Sequence, residues 1–318
     1  MGAARKQQPG GFHITERDVA IVRFIGRTRL ATVDEIRVRF AMARSKAYAR
    51  LRGLVEHGLL IHDSRVPGHG VYLATASGLA LAGLDLAPAT VSLGALRHDL
   101  AVAAVVAQFE AADVRLQTER ELRQHVHATG DNTYRPSVVR RGMRDARHWP
   151  DLVLVTHSAQ LPGWGAIEVE LTRKSAERTR AILTAYKNSW ASQPRDGLWG
   201  VLYIVPTRAD ARRIAQLGSV ARLTPSSRPA ALGIHSLDQA THPLATLADL
   251  LTRRSAARAA DQAAKAQRDA RRREVEARHA ADAAHSQARE RQREQELAAA
   301  QAAATARRGL GRLIGGGR

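Results

Sequence analysis

Residues 32–58 read TVDEIRVRFAMARSKAYARLRGLVEHG, and the local signals in that stretch set the fold of the N-terminal part. Thr32 followed three residues later by Glu35 has the spacing of a capping box, in which each side chain satisfies the other's backbone N–H at a helix start. Val33, Ile36 and Phe40 then fall on one helical stripe. Ala41–Ala43 reads as a short turn, Ser45 is placed to cap a third helix, and Gly58 suits the position just past its end. Ala47, Leu51 and Leu54 make the inward face of that helix. The opposite face carries Ser45, Lys46, Ala49 and Arg50, with Arg44 at its start and Arg52 at its edge. These side chains are small or basic and none is acidic, which suits a helix entering a major groove between phosphates.

The flanks extend the pattern. Thr15 is placed to cap an earlier helix reaching about Gly26, with Ile21, Val22 and Ile25 inward. Leu59–His62 and Val71–Ala74 read as two short strands around Pro67, Gly68 and Gly70, and a helix from Ala76 to Leu84 follows. Three helices and a hairpin over 13–95 predict a winged helix-turn-helix with double-stranded DNA as its partner. Lys46 and Arg50 would read bases, and Arg44 would hold phosphate. The plainer alternative is a three-helix module that only dimerises, and a homodimer is compatible with either.

Composition agrees with a polyanionic partner. The 318 residues hold 49 Lys+Arg against 30 Asp+Glu, a formal net charge of +19, and such a surplus favours phosphate contacts and counterion release. No apolar run approaches the roughly 20 residues needed to span a bilayer, so no membrane partner is expected. The N-terminus lacks a basic-then-apolar leader pattern, which predicts a cytoplasmic protein. There is no cysteine, which excludes disulfides, thiolate catalysis and Cys-type zinc sites. No phosphate-cradling GxxxxGK[ST] motif occurs, which argues against an ATPase or helicase, and no His/Tyr cluster resembles a relaxase nucleophile site. His125 and His127 read as exposed loop residues.

Residues 96–240 predict an α/β domain, so that the whole chain is an α+β multi-domain protein. Leu96–Ala112 reads as an apolar helix, and Val114–Leu122 alternates like a strand. Residues 128–147 read as an exposed Arg-rich loop, Asp151–Thr156 and Gly165–Leu171 as strands, and Lys174–Trp190 as a helix. A strand at Leu198–Val205, a helix at Arg208–Leu217 and a strand at Leu232–Leu237 complete it. Residues i and i+2 of a strand share a face, so Glu168 and Glu170 are expected to project together, with Asp151 alongside. Such a carboxylate group suits Mg²⁺ or Mn²⁺, hard ions that assist phosphodiester cleavage. The alternative is a salt-bridge network with Arg173, Lys174 or Lys187. Residues 253–306 are Ala, Arg, Gln and Glu-rich without Pro or Gly and predict a solvated single helix, Val275 standing nearly alone as an apolar residue. Residues 1–12 and 307–318 are expected to be disordered.

Taken in order, the predicted winged helix, His98-Asp99-Leu100-Ala101-Val102, Thr118-Glu119-Arg120-Glu121, Pro150-Asp151 and Ile167-Glu168-Val169-Glu170-Leu171-Thr172-Arg173-Lys174 resemble the replication-relaxation family of plasmid and mobile-element proteins, over roughly 13–237. The resemblance implies a DNA-binding accessory protein of replication control or mobilisation, with a relaxase or replication protein as a possible partner. It also implies a second domain similar to the PD-(D/E)xK endonuclease-like fold, with Asp151, Glu168, Glu170 and Lys174 at the motif positions. That motif ends in Lys where this chain has Glu170, which predicts a degenerate domain. Some enzymes of the fold use an acid there, Lys174 is placed to supply the missing charge, and Glu119 or Glu121 to add a ligand. A metal-dependent endonuclease and a winged-helix transcriptional regulator therefore stand as alternatives.

Overall fold

The computed structural model describes residues 12–66, 70–140, 143–158, 161–192, 197–223 and 232–314. The expectations for residues 1–11, for Pro67 and Gly68 in the hairpin turn and for 315–318 lie outside these. The protein is mixed α/β, with one mixed sheet and a long C-terminal helix. It forms two compact units, Met1–Arg258 and Ala259–Arg318.

The first unit opens with α1 (Glu16–Thr28), α2 (Val33–Phe40) and α3 (Arg44–Glu56). Thr15 and Thr32 each form a capping box, with Asp18 and Glu35 respectively. Ala41 closes α2 in the left-handed conformation, φ 49°. The N-cap of α3 is Ala43, without a side-chain bond, so Ser45 lies inside the first turn and not at the cap. β1 (Leu60–Asp63) and β2 (Val71–Ala74) pair antiparallel, and α4 (Ala76–Leu81) follows, three residues shorter than expected.

The elements after it are α5 (Leu96–Ala111), β3 (Gln117–Thr118), α6 (Glu119–Thr129), β4 (Ser137–Arg140), β5 (Met143–Arg147), β6 (Leu152–Ser158), β7 (Leu161–Val169), α7 (Ala176–Ser192), β8 (Leu198–Val205), α8 (Arg208–Val220) and β9 (Leu232–Ser236). Two expectations fail here. The strand at Val114–Leu122 is reduced to two residues, because Thr118 and Glu121 form a capping box that starts α6. The loop expected at 128–147 contains the antiparallel pair β4–β5.

The five-stranded sheet runs β3-β6-β7-β8-β9; β7–β8 and β8–β9 are parallel and the other pairs antiparallel. Alternation along the strands divides the core. Leu152, Leu154, Ile167, Val169, Leu202 and Ile204 face one side, where α5 and the N-terminal helices share a single core with them. Val153, Ala166, Val201, Tyr203 and Val205 face the other, under Leu183 and Tyr186 of α7 and Ile214 of α8. The helices and hairpin of 13–95 are therefore continuous with the sheet domain, and no gap in packing follows residue 95.

α9 (Pro243–Ile314) starts ten residues before the expected helix and passes its expected end at 306. Pro243 suits a first helical position, and Leu244, Leu247, Leu250 and Leu251 pack into the sheet's first core. In the second unit every described side chain from 259 to 303 is exposed. Among the described residues no helix is long and apolar enough to cross a membrane.

Candidate functional site

The outward face of α3 is set by what its inward face buries. Ala47, Leu51 and Leu54 are fully buried, which leaves Arg44, Ser45, Lys46, Ala49 and Arg52 exposed. Arg44 lies over the Tyr48 ring at 5.8 Å. Arg50, expected on the same face, turns inward. Its Nε donates to Asp18 Oδ1 at 2.8 Å, its Nη2 donates to Asp18 Oδ2 and to the His13 carbonyl, and its guanidinium covers Phe12 at 4.3 Å. Burial pushes the Asp18 carboxyl up, but the hydrogen bonds from Arg50 and Thr15 outweigh it and hold the group below its ordinary value. Arg50 thus ties α3 to the start of α1, and the exposed face has one cation fewer than the sequence suggests.

The second region is a cleft of about 500 Å³ at the end of the sheet where β7 stops. Asp151 precedes β6, and Glu168 lies near the end of β7, on the same face as Ala166 and so beneath α7. Asp151 Oδ1 accepts from His98 Nε2 of α5 at 3.1 Å, and its Oδ2 from the Val169 amide at 2.7 Å. Glu168 Oε1 accepts from His148 Nε2 at 2.7 Å and from the Tyr186 hydroxyl. Glu170 lies one residue past the strand. Its Oε2 accepts from Lys174 Nζ at 3.2 Å, and its Oε1 from the Lys174 amide at 3.3 Å with Arg213 at 3.8 Å.

Burial raises the Asp151 carboxyl, against the bond from His98, and the nearby Glu168 charge adds to the rise. Glu168 is also penalised by burial, but His148, Lys174 and Tyr186 pull it below the usual carboxylate range. His148 and Lys174 move the opposite way. Burial disfavours each cation, and the surrounding carboxylates more than compensate, so both are raised. The His98 imidazole is raised chiefly by its bond to Asp151. Two neighbouring carboxylates thus part in acidity, Asp151 the more readily protonated and Glu168 held as an anion.

The expected trio of Asp151, Glu168 and Glu170 is brought to one cleft but not into one ligand set. Among the described residues no three His, Asp or Glu side chains could together hold a metal ion. The reason is local: both Asp151 oxygens and Glu168 Oε1 already accept N–H or O–H donors, and Glu170 is drawn to Lys174 and Arg213. The Mg²⁺ or Mn²⁺ expected from the carboxylates does not fit this arrangement. Lys174, expected as the first residue of a helix, lies two residues before α7, against Glu170 and close to the other two acids. His98 belongs to a motif the sequence showed without a role, and His148 could have been marked by its place three residues before Asp151. Tyr186 carried only a core signal. His125, on α6, bonds Asp131 at 3.2 Å.

Comparison of the chain with protein-family models, with curated proteins and with solved structures finds no match.

Proposed function

We propose that this chain is a DNA-binding protein in which α1–α3 and the β1–β2 hairpin act as a winged helix-turn-helix and α3 is the helix that reads duplex DNA. The observation that carries this reading is the exposed, acid-free face of Arg44, Ser45, Lys46, Ala49 and Arg52, held rigidly by a fully buried opposite face. Lys46 and Arg52 are the base or phosphate contacts of this face, and Arg44, at the first turn, sits where a helix N-terminus meets phosphate. The sheet domain is read as a restriction-endonuclease-like fold that binds without cutting. Its acids are neutralised by Lys174, His98 and His148, and this favours binding over the endonuclease alternative. The resemblance of the motifs adds the setting: an accessory protein of plasmid or mobile-element replication control or mobilisation, working beside a relaxase or replication protein.

Selection of bound duplexes from a random pool, followed by titration of the enriched site, tests this. Lys46→Ala/Arg52→Ala should weaken specific binding by about tenfold or more and reduce its salt dependence. Unchanged affinity in that variant would remove α3 from the interface.

A further inference from the structure

A second group of cations lies on the sheet domain, away from α3. Two guanidiniums lie over the Trp149 ring, Arg135 at 3.6 Å and Arg123 at 4.6 Å from its centroid. Arg123 has Glu119 as a counter-ion. Among the described residues neither Arg135 nor Arg147 has a carboxylate at ion-pair distance. Burial lowers the Arg135 pKa, and the charges of Arg147 and Arg123 lower it further, the sign of cations gathered without an anion between them.

Beside this stack is a cavity of about 290 Å³, lined by Thr133, Arg135, Ser137, Arg147, Trp164 and Ser189 among others. Two of its lining side chains carry buried N–H donors with no acceptor, Arg135 Nε and Trp164 Nε1. Buried donors are ordinarily paired, and unpaired donors beside unneutralised guanidiniums call for an oxyanion. Arg147 lines this cavity and also the larger cleft, whose wall includes Trp149, Arg123, Arg97 and Arg178. Arginines therefore line both cavities, the larger of which also holds Glu119, Asp151, Glu168 and Glu170, and they extend over more than one isolated anion would fill.

We propose that Arg135, Arg147 and Trp149 form a second phosphate-binding site that takes the sugar–phosphate backbone of a nucleic-acid strand leading to the cleft. A phosphate takes the charge of the Arg135 guanidinium, whose buried Nε opens when it leaves the Trp149 ring, the Arg147 guanidinium contacts the next phosphate, and the Trp149 face so freed is available to a base or sugar. The proposal rests on the chain being a nucleic-acid-binding protein but is independent of α3 as the reading helix.

The test uses the full chain and a fluorescent oligodeoxythymidylate, which offers no duplex for α3 to read. Arg147→Glu and Arg135→Gln should each weaken its binding about tenfold or more, and Arg147→Lys should retain most of it. The salt slope should fall by about 0.7 for each phosphate that a variant no longer neutralises. Tryptophan fluorescence should change on binding, and Trp149→Phe should bind while losing that change. Lys46→Ala/Arg52→Ala should bind the oligonucleotide like the parent, even though it fails on duplex. Equal binding by the parent, Arg147→Glu and Arg135→Gln would overturn the proposal. So would loss of binding in the α3 variant. Full displacement by inorganic phosphate at the same concentration of phosphate groups would also overturn it, because the site would then hold free phosphate and not a strand. Arg147 is exposed, so its variants report on binding even if Arg135→Gln fails to fold.

Discussion

Arg50 and Arg52 lie two residues apart on α3 and have different fates. Arg52 is exposed and available to a ligand. Arg50 is engaged inside the protein with Asp18, whose side chain is 1% exposed. Removing Arg50 leaves a buried carboxylate with Thr15 as its donor and no cation, and breaking such a pair is penalised chiefly through the charge left behind. Arg50→Ala should therefore destabilise the fold by about 2 kcal/mol, a figure reduced because the guanidinium itself is partly open to solvent. Arg52→Ala should stay within about 0.5 kcal/mol of the parent and, under the DNA-binding function proposed above, act on duplex affinity. Urea unfolding of the two variants checks the split; equal stabilities would mean that Asp18 finds another partner and that Arg50 is free to meet a ligand.

Two local signals compete between residues 114 and 122. Val114, Leu116 and Thr118 alternate as a strand would, while Thr118-Glu119-Arg120-Glu121 has capping-box spacing. The box wins beyond Thr118. The Thr118 amide and hydroxyl donate to Glu121 Oε2 at 2.8 and 3.0 Å, and the Glu121 amide donates back to Thr118 Oγ1 at 3.4 Å. Glu121 Oε1 also accepts from Arg27 Nε of α1 at 2.7 Å, so the cap is reinforced from another element. Thr118→Val keeps the buried shape and deletes the cap, and should cost about 1 kcal/mol. It should be read as a lower urea midpoint at unchanged slope. An unchanged midpoint would show that the bond from Arg27 alone holds the start of α6.

At the scale of the first unit, the N-terminal helices and the sheet domain behave as one body. Glu110 on α5 lies at the joint and pairs with both Arg27 of α1 and Arg39 of α2. Its side chain is 7% exposed. Around it a single apolar core runs from Ile21 and Leu51 to Ile204 and Leu250. One cooperative calorimetric transition is expected for this unit, because shared burial couples the two parts. Glu110→Gln leaves Arg39 without a carboxylate partner and Arg27 with Glu121 alone. It should lower stability by about 3 kcal/mol and expose a second transition. A parent that already melts in two steps would overturn the shared-core account.

What the sequence determined by itself is whatever local spacing decides: the helix starts at Thr15 and Thr32, the stripes of α1–α3, the apolar strands β6 and β8, and the placing of Asp151, Glu168, Glu170 and Lys174 at one end of the sheet. These follow from capping chemistry and from periods of 3.6 and 2, which neighbouring residues encode alone. Tertiary structure decided the rest. Arg50 reads as solvent-facing until Asp18, 32 residues away, is brought to it. The three acids read either as a metal set or as part of a salt-bridge network until His98, His148 and Tyr186 arrive from three separate places and pair with two of them. The Arg123–Trp149–Arg135 stack gathers residues from α6 and from the segments flanking β4 and β5, in a region whose sequence looks like a polar loop. Charge pairing between distant residues leaves no periodic trace in a chain, so its outcome is fixed only when the packing of the sheet and helices sets which groups meet and which remain in water.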